Sequence, residues 1–140
     1  MLTNRRDVEI EWGDCDAAGI VFFPRYFAMF DASTAYLMEK ALGMKKAAWV
    51  KAHGIVGIPI GDTGARFLVP SSFGDVITIE SCFAAVRRSS FDIDHRVFKD
   101  GRLAIEAHET RIWAGRDPAD PSRIKAVEIP AAVIAAMRGA

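Results

Sequence analysis

Polar and apolar residues alternate at the start of the chain. Val8, Ile10 and Trp12 interleave with Asp7, Glu9 and Glu11, the period of a strand with one buried face. The period then changes. From about Tyr26 to Leu42, the residues Phe27, Phe30, Thr34, Leu37, Met38 and Ala41 recur at helical spacing and predict one long helix with an apolar stripe. Pro24 suits its first turn, where a missing N–H costs nothing, and Gly43 reads as its C-terminal stop. Asp31 lies one turn from both Phe27 and Thr34. That spacing predicts it on the buried side, where a carboxylate must find a partner or stay protonated.

A β-rich half follows a short helical or irregular stretch from Met44 to Lys51 that carries Trp49. Ile55 to Ile60 and Ala65 to Val69 are short apolar runs broken by Gly57, Pro59, Gly61 and Gly64, as in a bent or interrupted strand. Ile77, Ile79, Ser81, Phe83 and Ala85 then share one side of a strand, opposite Thr78, Glu80 and Cys82. Phe91, Ile93, His95 and Val97 form the next set, Asp100-Gly101 signals a hairpin, and Leu103, Ile105, Ala107, Glu109 and Arg111 lead on to Trp113. Gly115 to Ser122 reads as a loop, Arg123 to Ile129 as a last strand and Pro130 to Met137 as a short helix. One long helix followed by consecutive antiparallel strands is an α+β pattern, a sheet covering one face of a helix.

Composition narrows the class. The 140 residues suit one domain, and 51% hydrophobic against 26% charged residues allow a core without disulfides or metal. Eighteen basic and 18 acidic residues cancel, so nothing draws the chain as a whole to nucleic acid. Cys15 and Cys82 are too few for a disulfide framework and lack zinc-site spacing. Free thiols suit a reducing cytoplasm, the polar N-terminal residues lack the apolar core of a signal peptide, and no stretch predicts a membrane span.

The candidate chemistry sits between the first strand and the long helix, in Trp12-Gly13-Asp14-Cys15-Asp16-Ala17-Ala18-Gly19-Ile20-Val21-Phe22-Phe23-Pro24. The run sets carboxylates in a glycine-punctuated loop just before a helix N-terminus, whose unpaired N–H groups and positive dipole end can hold a developing oxyanion. Asp16 can serve catalysis or cap the loop, and Asp14 reads as bonding its own turn. The segment resembles the signature loop of hot-dog-fold acyl-CoA thioesterases, closest to the 4-hydroxybenzoyl-CoA thioesterase type. The resemblance continues through Tyr26, Asp31, His53 to Ile60, Phe67, Asp75 to Glu80, Arg87 to Phe91 and Ala126 to Pro130.

That resemblance implies a single hot-dog domain over residues 1–140, hydrolysis of an aryl-CoA such as 4-hydroxybenzoyl-CoA, no cofactor and no metal. It makes Asp16 the nucleophile or general base and the Phe23 backbone N–H the oxyanion donor. Gly19, Phe22, Asp31, Ile58 and Pro59 become substrate-binding residues, with Asp31 at a position that faces a ring hydroxyl. Arg87, Arg88 and Ser89 become the coenzyme A site. From the residues alone the two arginines fit either phosphate binding, through the guanidinium fork, or an ordinary solvated turn. The partners implied are the acyl-CoA and further copies of the chain, as a dimer or a tetramer built as a dimer of dimers with sites at the subunit interface, and neither nucleic acid nor membrane. The chain departs from the branch at Ala17, Phe22 and Phe23, where Pro, Trp and Tyr are usual, and at Ser89, where a third cation is common.

Other readings stay open beside it. A short-chain aliphatic acyl-CoA thioesterase shares the loop, and a non-catalytic acyl-CoA-binding protein shares the pocket but has no use for a carboxylate against a thioester carbonyl. Asp14 and Asp16 also match the magnesium-binding start of a phosphatase, a fold that needs a larger α/β body. His53, His95 and His108 read as structural.

Overall fold

The computed structural model describes residues 1–140. In chain order the elements are β1 (Thr3–Glu9), a 3-10 turn (Trp12–Asp14), α1 (Phe23–Leu42), α2 (Lys46–His53), β2 (Ile60–Phe67), β3 (Val76–Val86), β4 (Ser90–Lys99), β5 (Arg102–Ile112), β6 (Ala114–Arg116), β7 (Ile124–Ala126) and α3 (Ala131–Met137). Five strands form one antiparallel sheet in the order β1-β3-β4-β5-β2, and β6 pairs β7 separately. The helix α1 lies on one face of the larger sheet, which is the hot-dog arrangement.

The first strand stops earlier than its alternation predicts. Ile10 is buried and bonds Asp75 O through its N–H at 2.8 Å, but Trp12 is 76% exposed, its ring edge-on to Phe73. The Glu11 N–H donates to Asp14 Oδ2 at 2.9 Å and closes a turn that ends the strand period. The helix starts three residues before Tyr26, with Phe23 at its first position, Pro24 beside it and Gly43 closing it at φ 68°. Its buried stripe is wider than predicted: Phe30, Thr34, Leu37 and Met38 are joined by Tyr26, Met29 and Ser33, while Phe27 and Ala41 are half-buried.

The second half differs in three places. Ile60 from the first run and Ala65 to Phe67 from the second join through Gly61 and Gly64 into one edge strand, β2, with a bulge between Ile60 and Asp62, while residues 55–59 and 68–69 lie outside it. The glycines belong inside it because β5 side chains cross over them: a Cβ on Gly64 would stand 2.8 Å from His108 Cε1, and one on Gly61 3.2 Å from Ile112 Cδ1. Bulges between Phe83 and Ala85 and between Val97 and Phe98 break the strict alternation, so Ala104 is buried and Ala85 only half-buried. Gly115, read as loop, lies in β6, and the last strand spans only Ile124–Ala126.

The core falls into two apolar clusters with a polar layer between them. Phe30, Ile79, Val97 and Ala107 belong to one, and Leu37, Phe83, Ile93 and Trp113 to the other. The residues that separate them along α1, β3, β4 and β5 are Thr34, Ser81, His95, Glu109 and Arg111, all buried.

Candidate active site

The loop between the 3-10 turn and α1 is held at both ends by backbone bonds. Asp16 N–H donates to Ile20 O at 2.9 Å, Gly19 N–H to Asp16 O at 3.0 Å and Phe22 N–H to Asp14 O at 2.8 Å. Gly19 sits at φ 81°, which favours a residue without a Cβ. Asp16 is exposed, and its Oδ1 accepts the Ala18 N–H at 2.9 Å. Oδ2 has no protein partner, so capping the loop occupies one oxygen of this side chain and leaves the other free. Asp14 bonds its own turn, as its type predicts.

Phe22 is the N-cap of α1 and Phe23 its first residue, both exposed, their rings edge to face at 5.8 Å. The Phe23 N–H meets no acceptor in the chain. Pro24 has no N–H to compete beside it, and a 20-residue helix adds its dipole at this end. Against this helix start lies an apolar cavity of ≈ 300 Å³ lined by Ile20, Val21, Phe23, Tyr26, Phe67 and Leu68 among others. Burial raises the Tyr26 phenol pKa above its ordinary value, with Ser71 nearby working the other way.

Asp31 corrects an expectation. It is 60% exposed rather than buried, and its Oδ1 accepts from Arg111 Nη2 at 2.9 Å. The side chain stands at the edge of the helix stripe, where a charge can reach both water and the sheet. Ile58 is buried and its carbonyl accepts Arg111 Nη1 at 3.0 Å, while Pro59 is exposed and its carbonyl accepts the Ile112 N–H. Arg111 therefore joins two of the five expected substrate residues, Asp31 and Ile58, and its neighbour Ile112 holds a third, Pro59, whereas Gly19 and Phe22 lie apart on the Asp16 loop. It also donates to Glu109 Oε2 at 2.6 Å. Glu109 Oε1 takes a bond from Thr34 and lies 2.9 Å from His95 Nε2, and His95 Nδ1 is 2.7 Å from Ser81 Oγ. Burial opposes the Glu109 charge, but His95, Thr34 and Arg111 together outweigh it and hold the carboxyl below its ordinary range.

This network was not legible as a site. The i, i+2 spacing of Glu109 and Arg111 on an otherwise apolar face was the available signal. His53 Nδ1 lies 2.7 Å from Trp49 O, and His108 pairs with Asp62 on the surface at 3.0 Å. No group of three or more His, Cys, Asp or Glu is gathered to hold a metal ion.

Arg87, Arg88 and Ser89 form the turn between β3 and β4, but the two arginines differ. Arg87 is forked onto Asp92, which raises the arginine's pKa and lowers the aspartate's, and its Nε donates to Ser90 Oγ at 2.8 Å. Arg88 only grazes Glu128 at 3.8 Å and is 80% exposed. The Ser89 carbonyl accepts the Trp113 N–H at 2.8 Å. The Asp16 loop touches the segment before β3, through Ile20 and Ser72, whereas this turn lies beyond its far end. At about 3.3 Å per residue the strand separates them by roughly 30 Å or more within one chain.

A helix laid on a five-stranded antiparallel sheet, with an acidic loop at the helix N-terminus, defines a hot-dog protein built for acyl chemistry. The chain belongs to the thioesterase-like superfamily, whose model matches residues 10–137. It is 40% identical over 128 residues to 4-hydroxybenzoyl-CoA thioesterase of Pseudomonas sp. strain CBS-3, covering 87% of this chain and 88% of the relative. The solved structure of the 4-hydroxybenzoyl CoA thioesterase from that strain superposes with a TM-score of 0.88 at 35% identity, over 97% of this chain and 99% of that one. A gentisyl-coenzyme A thioesterase superposes at 0.82 with 27% identity, over 96% and 99%.

Proposed function

We propose that this chain hydrolyses an aryl-CoA thioester, 4-hydroxybenzoyl-CoA or a close relative, to the free acid and coenzyme A. The observation that carries the reading is the pairing, on one short loop, of an exposed carboxylate oxygen on Asp16 with the unpaired N–H of Phe23 at a helix N-terminus. A thioester carbonyl seated against that N–H has its oxygen stabilised as it becomes negative. Asp16 either attacks the carbonyl carbon, expelling coenzyme A thiolate and leaving an acyl anhydride that water cleaves, or takes the proton of an attacking water. Both routes end in the carboxylic acid and the thiol.

The aryl preference is supported by the relatives, whose names specify hydroxylated aromatic acyl groups, and by Asp31, whose free oxygen can accept a hydrogen bond from a ring hydroxyl. Asp31 is eight residues along α1 from Phe23, about 12 Å of helix rise, which is about the length of a 4-hydroxybenzoyl group with a hydrogen bond at each end. The roughly 30 Å of strand between the Asp16 loop and Arg88 within one chain supports a site completed by a second copy of the chain. β2 is an edge strand with exposed Ile60 and Phe67, and pairing it with its own copy would cover that edge. Arg88 is the cation best placed for a nucleotide phosphate.

The test is coenzyme A release from 4-hydroxybenzoyl-CoA, benzoyl-CoA, phenylacetyl-CoA and short aliphatic acyl-CoAs, with native protein and Asp16→Asn. Turnover led by the hydroxylated aryl substrate, collapsing in the variant while ligand binding persists, is the expected result. A native protein that binds coenzyme A and turns over none of them overturns the enzyme reading.

A further inference from the structure

We propose that Arg111 is a positioning residue for substrate selection: it fixes Asp31 as a hydrogen-bond acceptor, so that the site favours acyl groups carrying an O–H or N–H donor at their far end. The inference rests on the aryl-CoA reading above and adds a residue to it.

Arg111 is 4% exposed. A guanidinium buried between two apolar clusters is costly to desolvate, and replacing it together with its carboxylate partners by hydrophobic residues of similar volume is often neutral or stabilising. What the guanidinium supplies is a bridge. Behind it lies Glu109, beside it the Ile58 carbonyl, and in front of it Asp31, each within 3.0 Å. Glu109 is itself fixed by Thr34 and His95, and His95 by Ser81 and by the ring of Phe30 stacked at 4.9 Å. A run of bonds thus leads from the interior of β3 to one exposed carboxylate on α1. An exposed aspartate with no fixed partner samples several rotamers. Here one oxygen is held, and the other is presented without a protein partner.

The space at this point matches the tip of an acyl group. A recess of ≈ 70 Å³ is lined by Phe27, Phe30, Asp31, Ile60, Thr63, Glu109 and Arg111, with Glu109 already occupied by Thr34, His95 and Arg111. That is about half the ~150 Å³ cavity that takes a whole benzene ring, so it accommodates a ring substituent rather than a ring. A carboxylate accepts and does not donate. A hydroxyl or amino substituent satisfies the free oxygen of Asp31, whereas a hydrogen or a methoxy group covers that oxygen without pairing it.

The test compares kcat/KM for 4-hydroxybenzoyl-CoA and benzoyl-CoA in native protein, Asp31→Asn, Arg111→Lys and the double variant. Lysine keeps the charge and loses the fork. The expected result is a native ratio well above one that falls roughly tenfold to a hundredfold in Arg111→Lys, to the level of Asp31→Asn, with no further fall in the double variant. A merely structural defect lowers both rates together and leaves the ratio, and that outcome overturns the inference while the aryl-CoA reading stands. A native ratio near one overturns the inference and leaves the aryl-CoA reading standing, whereas no turnover of either substrate overturns the aryl-CoA reading. Glu109→Gln, which keeps the shape but loosens the guanidinium's rear anchor, is expected to lower the same ratio and decides the matter if Arg111→Lys does not fold.

Discussion

Thr34→Val tests whether the polar layer is held together by charge. Thr34 is 1% exposed, and its hydroxyl donates to Glu109 Oε1. Valine keeps the volume and removes the donor, leaving the carboxylate with His95 and Arg111. Hydrogen bonds to a charged group contribute about 1.5–3 kcal/mol, so the variant should lose about that much at pH 7. Urea unfolding at fixed protein concentration should show a midpoint lower by about 1 M, for a slope of about 1–3 kcal/mol/M. The sign of the pH dependence follows from the depressed Glu109 carboxyl. A folded-state pKa below the unfolded one gives stability that is present above the ordinary glutamate range, near pH ~4.3, and lost as the pH falls towards the folded value. Removing a donor shrinks the depression, so the two stability curves should stand apart at neutral pH and converge in acid. A difference constant from neutral to acid pH, or one below about 0.5 kcal/mol, would refute a charge-based role for the hydroxyl.

Two further outcomes bear on the loop and the turn. Phe23→Pro removes the backbone donor at a helix position that accepts proline, and kcat should fall about 100- to 1000-fold while Phe23→Ala retains the N–H and much of the rate; equal losses in steady-state assays would remove the backbone from the mechanism. Arg88→Ala should raise KM for acyl-CoA several-fold and weaken its salt dependence, with Arg87→Ala smaller because that guanidinium is already forked onto Asp92; the reverse order would reassign the phosphate contact.

Periodicity carried the helix and the central strands because each buries one face and so repeats its pattern. It failed where a local bond overrides burial. Glu11 and Asp14 close a turn that turns Trp12 out to solvent, and the glycines of β2 look like breakers although they make room for His108 and Ile112. The Asp16 loop was legible as a candidate site because its parts are local in sequence: carboxylate, glycine and helix start lie within eight residues. Asp31 was misplaced for the opposite reason. Its partner, Arg111, is 80 residues away, and helix spacing cannot say that a position at the stripe's edge reaches water.

The polar layer shows why such partners escape a reading by pattern. Thr34, Ser81, His95 and Glu109 each occupy one slot in an otherwise apolar run on a different element, and each alone reads as a tolerated exception. Only pairing β3 with β4 and β4 with β5, which sets Ser81 opposite His95 and Glu109 opposite Ile93, stacks the exceptions under α1. Stability does not require the arrangement, since an apolar layer of the same volume would serve as well. One end of it is closed inside the sheet at Ser81, and the other opens to solvent at Asp31. A layer closed at one end and open at the other can transmit position outward, and position is what a carboxylate needs to tell one acyl group from another.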